Sequence, residues 1–178
     1  MKRLKYLGIF VFVIGGLMLF SGVASAVDNC CNVYSPGFWK NHDWPAGIST
    51  ITIGNDTVNV TYTQAQGQAL MSLPVKGDKR LTLFKALMAA KLNDVLNPGI
   101  PNCCISSKII PAADEWFAAH PIPPDLPDGK HPIPGGTAVP ASSPDWQDCE
   151  CGCEGPHCGG ESLYLQLEEY NDGDLCKD

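Results

Sequence analysis

The sequence lacks the short motifs that mark the commonest catalytic sites. It contains no G-x-S-x-G nucleophile elbow, no H-E-x-x-H zinc-protease motif and no glycine-rich phosphate-binding loop. It also has no C-x-x-C-H, which excludes the usual attachment of a c-type haem. No arrangement of residues demands a reaction, so we predict no catalytic residues and no cofactor.

Positive charge is also scarce. The 178 residues include 12 Lys and Arg against 19 Asp and Glu, a formal net charge of −7. Three of these basic residues and none of the acidic ones lie in the first 26 positions, which leaves nine against 19, a net charge of −10, for the rest. Phosphate backbones and anionic lipid surfaces repel such a chain, so we expect no nucleic-acid partner.

The first 26 residues have the pattern of a secretory signal peptide. Three basic residues precede an uncharged apolar run over residues 7–20, and Ala-Ser-Ala at 24–26 supplies the small-x-small cleavage site. We therefore expect a secreted or cell-surface protein with no membrane contact after cleavage. The alternative is a retained anchor, because residues 7–27 are long enough to span a bilayer.

Composition divides the chain into four segments. They are a signal peptide over residues 1–26, an α+β domain over 27–120, a proline-rich linker over 121–148 and a cysteine-rich C-terminal subdomain over 149–178. In the predicted α+β fold, a β-hairpin packs on two or three helices. Eight of the 24 residues from 121 to 144 are proline, which favours an extended, poorly packed linker.

Hydrophobic periodicity places the elements of the α+β domain. Apolar and polar residues alternate over 51–53 and 58–62 on either side of a Gly-Asn-Asp turn, which predicts the hairpin. Thr63, with a glutamine three residues later, forms a capping-box pattern that begins a short helix. Apolar residues at three- and four-residue steps predict helices over 79–96 and 107–119.

Leucines alternate with other residues near the C-terminus, at Leu163, Leu165 and Leu167. This alternation predicts one strand with three leucines on the same face. A lone strand is unstable in water, so we expect it to pair with the hairpin or with another chain.

The nine cysteines predict disulfides before metal binding or catalysis, because the expected compartment is oxidising. The simplest arrangement bridges the vicinal pair Cys30 and Cys31 to the vicinal pair Cys103 and Cys104. Closing that loop of about 70 residues stabilises the fold by roughly 4 kcal/mol in the chain-entropy model. The remaining five are Cys149, Cys151, Cys153, Cys158 and Cys176. Since five is odd, one of them is free or joins two chains.

The C-terminal cysteines also allow a thiolate metal site. Its ligands would be Cys149, Cys151, Cys153, His157 and Cys158. Structural zinc sites usually combine two C-x2–4-C knuckles across a longer insert, and this compact run does not match that spacing. We therefore predict no metal and keep this set as the alternative.

An aromatic loop near the start of the domain holds the candidate ligand-binding residues Trp39, His42, Asp43 and Trp44. Aromatic faces beside a carboxylate could cradle a sugar ring, and His42 with Asp43 could ligate a metal or move a proton. The structural interpretation is that Phe38 and Trp39 fill the core while His42 bonds the loop backbone.

Two N-glycosylation sequons lie on the predicted hairpin, at Asn55 and Asn59. Both are candidates for modification in an exported chain whose host modifies this motif.

Residues 35–42, SPGFWKNH, resemble the P-G-[YF]-W-K-N-H segment of a family of secreted bacterial and archaeal surface proteins. The similarity covers about residues 30–121 and continues through 51–54, 62–63, 89–93 and 112–116. The chain departs from it with Asp43, where a proline is frequent, and with its paired cysteines. The family has no assigned activity. The resemblance implies an extracellular module, often attached to other surface domains.

These features predict a secreted, non-catalytic surface or matrix module that is stabilised by disulfides and acts by binding or assembly. The expected partners are other cell-surface proteins, glycans or copies of the chain itself. The alternative is an extracellular enzyme or metal-dependent binding protein centred on His42 and Asp43. A deep polar cleft holding both side chains would favour the alternative, whereas a buried tryptophan and a hydrogen-bonded histidine would favour the module.

Overall fold

The computed structural model describes residues 32–98, 106–124, 138–147 and 159–173, and its fold class is α+β, as predicted. The elements in chain order are α1 (Pro36–Trp39), β1 (Thr50–Gly54), β2 (Asn59–Thr63), α2 (Gln64–Ser72), α3 (Lys79–Leu96), α4 (Ser106–Ala119), α5 (Pro144–Gln147) and α6 (Gly160–Asn171). The strands form one antiparallel hairpin. Within these ranges no helix is long and apolar enough to cross a membrane.

Helix α3 lies at the centre of the core. Asp78 caps its N-terminus by accepting the Arg80 N–H at 3.1 Å. The helix contacts α1, α2, α4, α6 and β1. Burial of one large apolar side chain contributes about 1.5–3 kcal/mol, and α3 buries six completely: Leu81, Leu83, Phe84, Leu87, Met88 and Leu92.

The hairpin forms where the alternation predicts it. Ile51 lies opposite Tyr62, and both side chains are buried. Gly54 begins the turn with a φ of 116°, and a Cβ there would lie 2.3 Å from the Val58 carbonyl oxygen, so the position requires glycine. The predicted capping box at Thr63 is also confirmed, with both of its reciprocal hydrogen bonds present.

A partly buried ion pair joins α3 to α4 and to the hairpin. Lys91 Nζ donates to Asp114 Oδ2 at 2.6 Å and to the Thr52 carbonyl at 2.8 Å, while the Gly54 N–H donates to Asp114 Oδ1 at 3.0 Å. Burial raises the pKa of the Asp114 carboxyl, and the Lys91 ammonium and the Gly54 N–H oppose that shift.

The predicted C-terminal strand is wrong, because these residues form helix α6. Leu163 and Leu167 are four residues apart and buried together, whereas Leu165 is 56% exposed. Leucines at i and i+4 share a helix face, so the same spacing fits a helix. Helix α6 packs on α3, α4 and α5, and the described part of the predicted C-terminal subdomain therefore belongs to the main core.

The described ends of the predicted linker are packed, contrary to expectation. Three of their apolar side chains are buried: Ile122, Val139 and Trp146. The buried Asp78–Arg80 ion pair holds both ends, since Arg80 Nη1 donates to the Pro121 carbonyl at 3.3 Å and the Val139 N–H donates to Asp78 Oδ1 at 3.3 Å. The two ends of this segment therefore share one anchor.

Candidate functional site

The aromatic loop folds around a single turn of helix. Ser35 caps α1 by accepting the Phe38 N–H on its Oγ at 3.3 Å, and Pro36 takes the first turn, where a missing N–H breaks no helical bond. This turn directs Trp39 into the core, where it is 3% exposed. The prediction that Trp39 fills the core against α3 is confirmed, whereas Phe38 is only partly buried.

The polar edge of Trp39 is bound by a buried asparagine of α3. Trp39 Nε1 donates to Asn93 Oδ1 at 2.9 Å, and the Tyr34 N–H donates to the same oxygen at 2.9 Å. Asn93 Nδ2 donates to the Tyr34 carbonyl at 3.0 Å and to Asn171 Oδ1 at 2.9 Å. All four hydrogen-bonding positions of the Asn93 amide are therefore filled.

Two further asparagines, Asn97 and Asn171, extend this network towards the first and the last of the described residues. Asn97 Oδ1 accepts the Asn32 N–H at 3.1 Å, and Asn97 Nδ2 donates to the Asn32 carbonyl at 2.9 Å. Asn171 of α6 donates from Nδ2 to the Ala86 carbonyl at 2.9 Å. The network joins residues 32–39, α3 and α6, which is a structural role for the aromatic loop.

Trp44 is also part of the core, at 5% exposed. Its ring lies so close to α2 that a Cβ on Gly67 would be 2.7 Å from it. The absence of a side chain at Gly67 therefore allows α2 to pack directly against the Trp44 indole. Trp39 and Trp44 are both unavailable as an open aromatic surface for a sugar ring.

His42 and Asp43 lie on the surface instead. The His42 ring stacks on Phe38 with centroids 3.9 Å apart, and its Nδ1 is 2.8 Å from the Phe38 carbonyl oxygen. A carbonyl only accepts, so Nδ1 carries a proton and Nε2 of the neutral ring is an acceptor. Asp43 Oδ1 accepts from Gln64 Nε2 at 3.1 Å. The four candidate residues are thus divided between core and surface.

The two candidate glycosylation residues differ in their surroundings. Asn55 is engaged on both sides of its amide: Oδ1 accepts the Thr57 and Val58 N–H groups, and Nδ2 donates to Glu115 Oε2 at 3.0 Å. Asn59 is exposed, and among the described residues its Nδ2 donates only to the Asn55 carbonyl, at 2.9 Å. Asn59 is therefore the more accessible of the two sequons.

A second set of chemistry-bearing residues surrounds His120, where α4 ends. Two clefts meet there, at Ala119 and His120, and together they are called the His120 groove below. The first has a volume of about 450 Å³, and its polar lining consists of His120, Arg80, Ser142, Ser143 and Asp145. The second has a volume of about 680 Å³, and its larger lining residues are His120, Lys108, Glu115 and Trp116.

His120 is held on both sides of its ring. It stacks on Trp116 with centroids 4.1 Å apart, and its Nδ1 is 2.9 Å from the Trp116 carbonyl oxygen. Its Nε2 lies 3.3 Å from Asp145 Oδ2, and Trp116 Nε1 donates to the Asp145 carbonyl at 3.0 Å. Both imidazole nitrogens face acceptors, so this Asp–His pair lacks the free nitrogen that a serine hydrolase uses as its base.

The sequence analysis missed this groove. His120 ends a predicted helix, and Asp145 falls in the segment predicted to pack poorly, so nothing along the chain connects them. One signal was present: Trp116 and His120 are four residues apart in a predicted helix, which places their side chains on one face. Their meeting with Asp145 depends on how α5 packs, and local sequence does not specify that.

All nine cysteines lie outside the described residues, and so does His157. The predicted bridge between Cys30–Cys31 and Cys103–Cys104 and the alternative thiolate site both fall there. Within the described ranges, no group of three or more His, Cys, Asp or Glu side chains is placed to hold a metal ion.

No protein-family model matches the chain. No curated protein and no solved structure matches it either.

Proposed function

We propose that the chain is a secreted or cell-surface module, stabilised by disulfides, that acts by binding or assembly and performs no catalysis. The leader-like first 26 residues, the nine cysteines and the acidic composition support export to an oxidising compartment. The resemblance of residues 35–42 to a segment of secreted surface proteins supports the same location. The Cys30–Cys31 to Cys103–Cys104 bridge and a disulfide-rich C-terminal segment are part of the proposal.

One observation carries the non-catalytic part of this proposal. The buried polar groups at the aromatic loop already make hydrogen bonds within the fold. Trp39 Nε1 is bound to Asn93, and the Asn93 amide has no hydrogen-bonding position left for a ligand. A catalytic centre needs uncommitted polar atoms held close together. The loop instead uses its polar atoms to hold residues 32–39 onto α3 and α6, as expected of a scaffold.

Secretion and binding can be tested on the full chain expressed with its own leader. We expect an N-terminus at Val27 in the supernatant or surface fraction, and non-reducing peptide mapping that links the two vicinal cysteine pairs. Labelled protein should bind saturably to intact cells of its host or to itself, and reduction should weaken that binding. Retention inside the cell with reduced cysteines would contradict the proposal, and so would a monomer that binds no cell surface.

The alternative centred on His42 and Asp43 has one observation in its favour. The Phe38 carbonyl fixes the His42 tautomer, and no described residue occupies His42 Nε2, which is how metal-binding histidines are often prepared. Calorimetric titration with Zn²⁺ should separate the two functions. A stoichiometric site lost in His42→Gln and Asp43→Asn, but kept in the control Asp56→Asn on the hairpin turn, would favour the alternative.

A further inference from the structure

The lining of each cleft in the His120 groove carries charged groups of both signs. Arg80 is paired with Asp78 in the wall of the first cleft, at 2.7 Å, and His120 faces Asp145 at 3.3 Å. The second cleft has one cation and one anion in its lining, Lys108 and Glu115. A charged ligand would therefore meet a charge of its own sign in each cleft, from Arg80 or Asp145 in the first and from Lys108 or Glu115 in the second, whereas a neutral ligand would meet no such repulsion.

The first cleft combines donors and acceptors with an apolar wall. Among the residues that the structure describes, no hydrogen-bond partner occupies the hydroxyl of Ser142 or of Ser143. The Asp145 side chain is 62% exposed, so its carboxylate can accept from a ligand. Its apolar lining residues include Pro121, Val139 and Pro140. A sugar ring complements this lining. Its hydroxyl groups can donate to and accept from the polar side chains, and its C–H faces can pack on the apolar ones.

The volumes of the two clefts together suit a short chain of sugar residues rather than a single sugar. Each cleft falls in the range of about 300–1,000 Å³ that small-molecule sites occupy. The two clefts share Ala119 and His120 in their linings, so they lie next to each other at the end of α4. A peptide that binds as an added strand or as an amphipathic helix fits less well, because those modes need an exposed strand edge or a long apolar face, and this lining offers helix and turn side chains.

We propose that the His120 groove binds a neutral oligosaccharide of two or three sugar residues. The inference rests on the proposed function, since it gives a ligand class to a module that acts by binding. Ser142, Ser143 and Asp145 hydrogen-bond the hydroxyl groups of one sugar, and the second cleft takes the next sugar beside the exposed Pro111 and Glu115. His120 is a positioning residue that holds Asp145 in the first cleft.

The full secreted chain should be titrated by calorimetry with neutral trisaccharides of glucose, mannose, galactose and N-acetylglucosamine. An acidic trigalacturonate and a neutral decapeptide serve as comparison ligands. Ala119 is exposed and lines both clefts, so Ala119→Phe fills their junction with little effect on folding. Ala65→Phe, at an exposed position of α2, is the matched control.

We expect at least one neutral trisaccharide to bind, Ala119→Phe and Asp145→Asn to weaken it tenfold or more, and Ala65→Phe to leave it unchanged. Binding that survives Ala119→Phe would overturn the groove while leaving the chain a binding module. Groove-dependent binding of the peptide or the acidic sugar alone would overturn the ligand class. If no ligand binds, the inference fails, and the proposed function is judged by the cell-binding experiment alone.

Discussion

One local arrangement occurs twice in this chain, and its two occurrences meet different surroundings. A histidine follows an aromatic residue by four positions and stacks on it, with Nδ1 against the aromatic residue's carbonyl oxygen: Phe38 with His42 at 2.8 Å, and Trp116 with His120 at 2.9 Å. His42 then faces solvent, whereas His120 faces Asp145 in a groove. Local sequence therefore sets the ring stack, and tertiary packing decides what the second nitrogen meets.

The two regions also differ in what lies beneath the histidine. Below His42, the buried Trp39–Asn93–Asn171 network has each polar atom paired and joins three parts of the fold. Around His120, the polar groups line open volume, and the side chain of one of them, Asp145, is 62% exposed. The first region is built for stability and the second for contact with a ligand, and four experiments can break or sharpen that distinction.

The largest effect should come from Trp39→Ala. The substitution leaves a cavity in the core and removes the donor to Asn93, so we expect a loss of about 3–5 kcal/mol in the free energy of unfolding. Denaturant titration under non-reducing conditions measures it. A loss below about 1 kcal/mol would mean that the network does not hold the loop.

The next effect tests the helix that carries Asn171. Leu167 is completely buried, so Leu167→Ala should cost about 2–5 kcal/mol, whereas Leu165→Ala should stay within about 0.5 kcal/mol. Thermal or chemical denaturation compares the pair directly. Equal losses of unfolding free energy from both variants would contradict the helix α6 and favour the predicted strand instead.

A smaller difference should separate the two histidines. His120→Ala loses a ring stack, a helix-end hydrogen bond and the contact with Asp145, so we expect about 1–2 kcal/mol. His42→Ala loses only an exposed stack and bond, and should cost less than about 1 kcal/mol. If His42→Ala lowers the unfolding free energy more than His120→Ala does, the contacts of His120 are not the stronger of the two sets.

The smallest effect concerns Asp114, which joins α4 to the hairpin. Burial raises its pKa above the ordinary 3.8, so just above that pH the folded protein binds more protons than the unfolded chain. Raising the pH therefore lowers the contribution of Asp114 to stability, and Asp114→Asn lacks this dependence. We expect the unfolding free energy of wild type minus variant to fall as the pH rises through and above the ordinary carboxyl pKa of 3.8. A rise would show that Lys91 outweighs burial.

The parts of the fold that depend on neighbouring residues could be predicted. The capping box at Thr63 and the hairpin over β1 and β2 each arise within a few residues, and both were located from the sequence. The α6 helix was missed because Leu163 and Leu167 satisfy period two and period 3.6 alike, and only burial shows Leu165 to be outside. The burial of Trp39 was anticipated, but its partner Asn93 is 54 residues away and gave no local signal.

The anchor that Asp78 and Arg80 provide for Pro121 and Val139 has a consequence for protein engineering. Both ends of the intervening segment are fixed to one ion pair, so its length has little influence on the rest of the fold. Doubling a loop between fixed ends costs only about 0.6 kcal/mol in closure entropy. This position should therefore accept a peptide tag or an inserted domain, and it offers a natural point at which to display a foreign sequence.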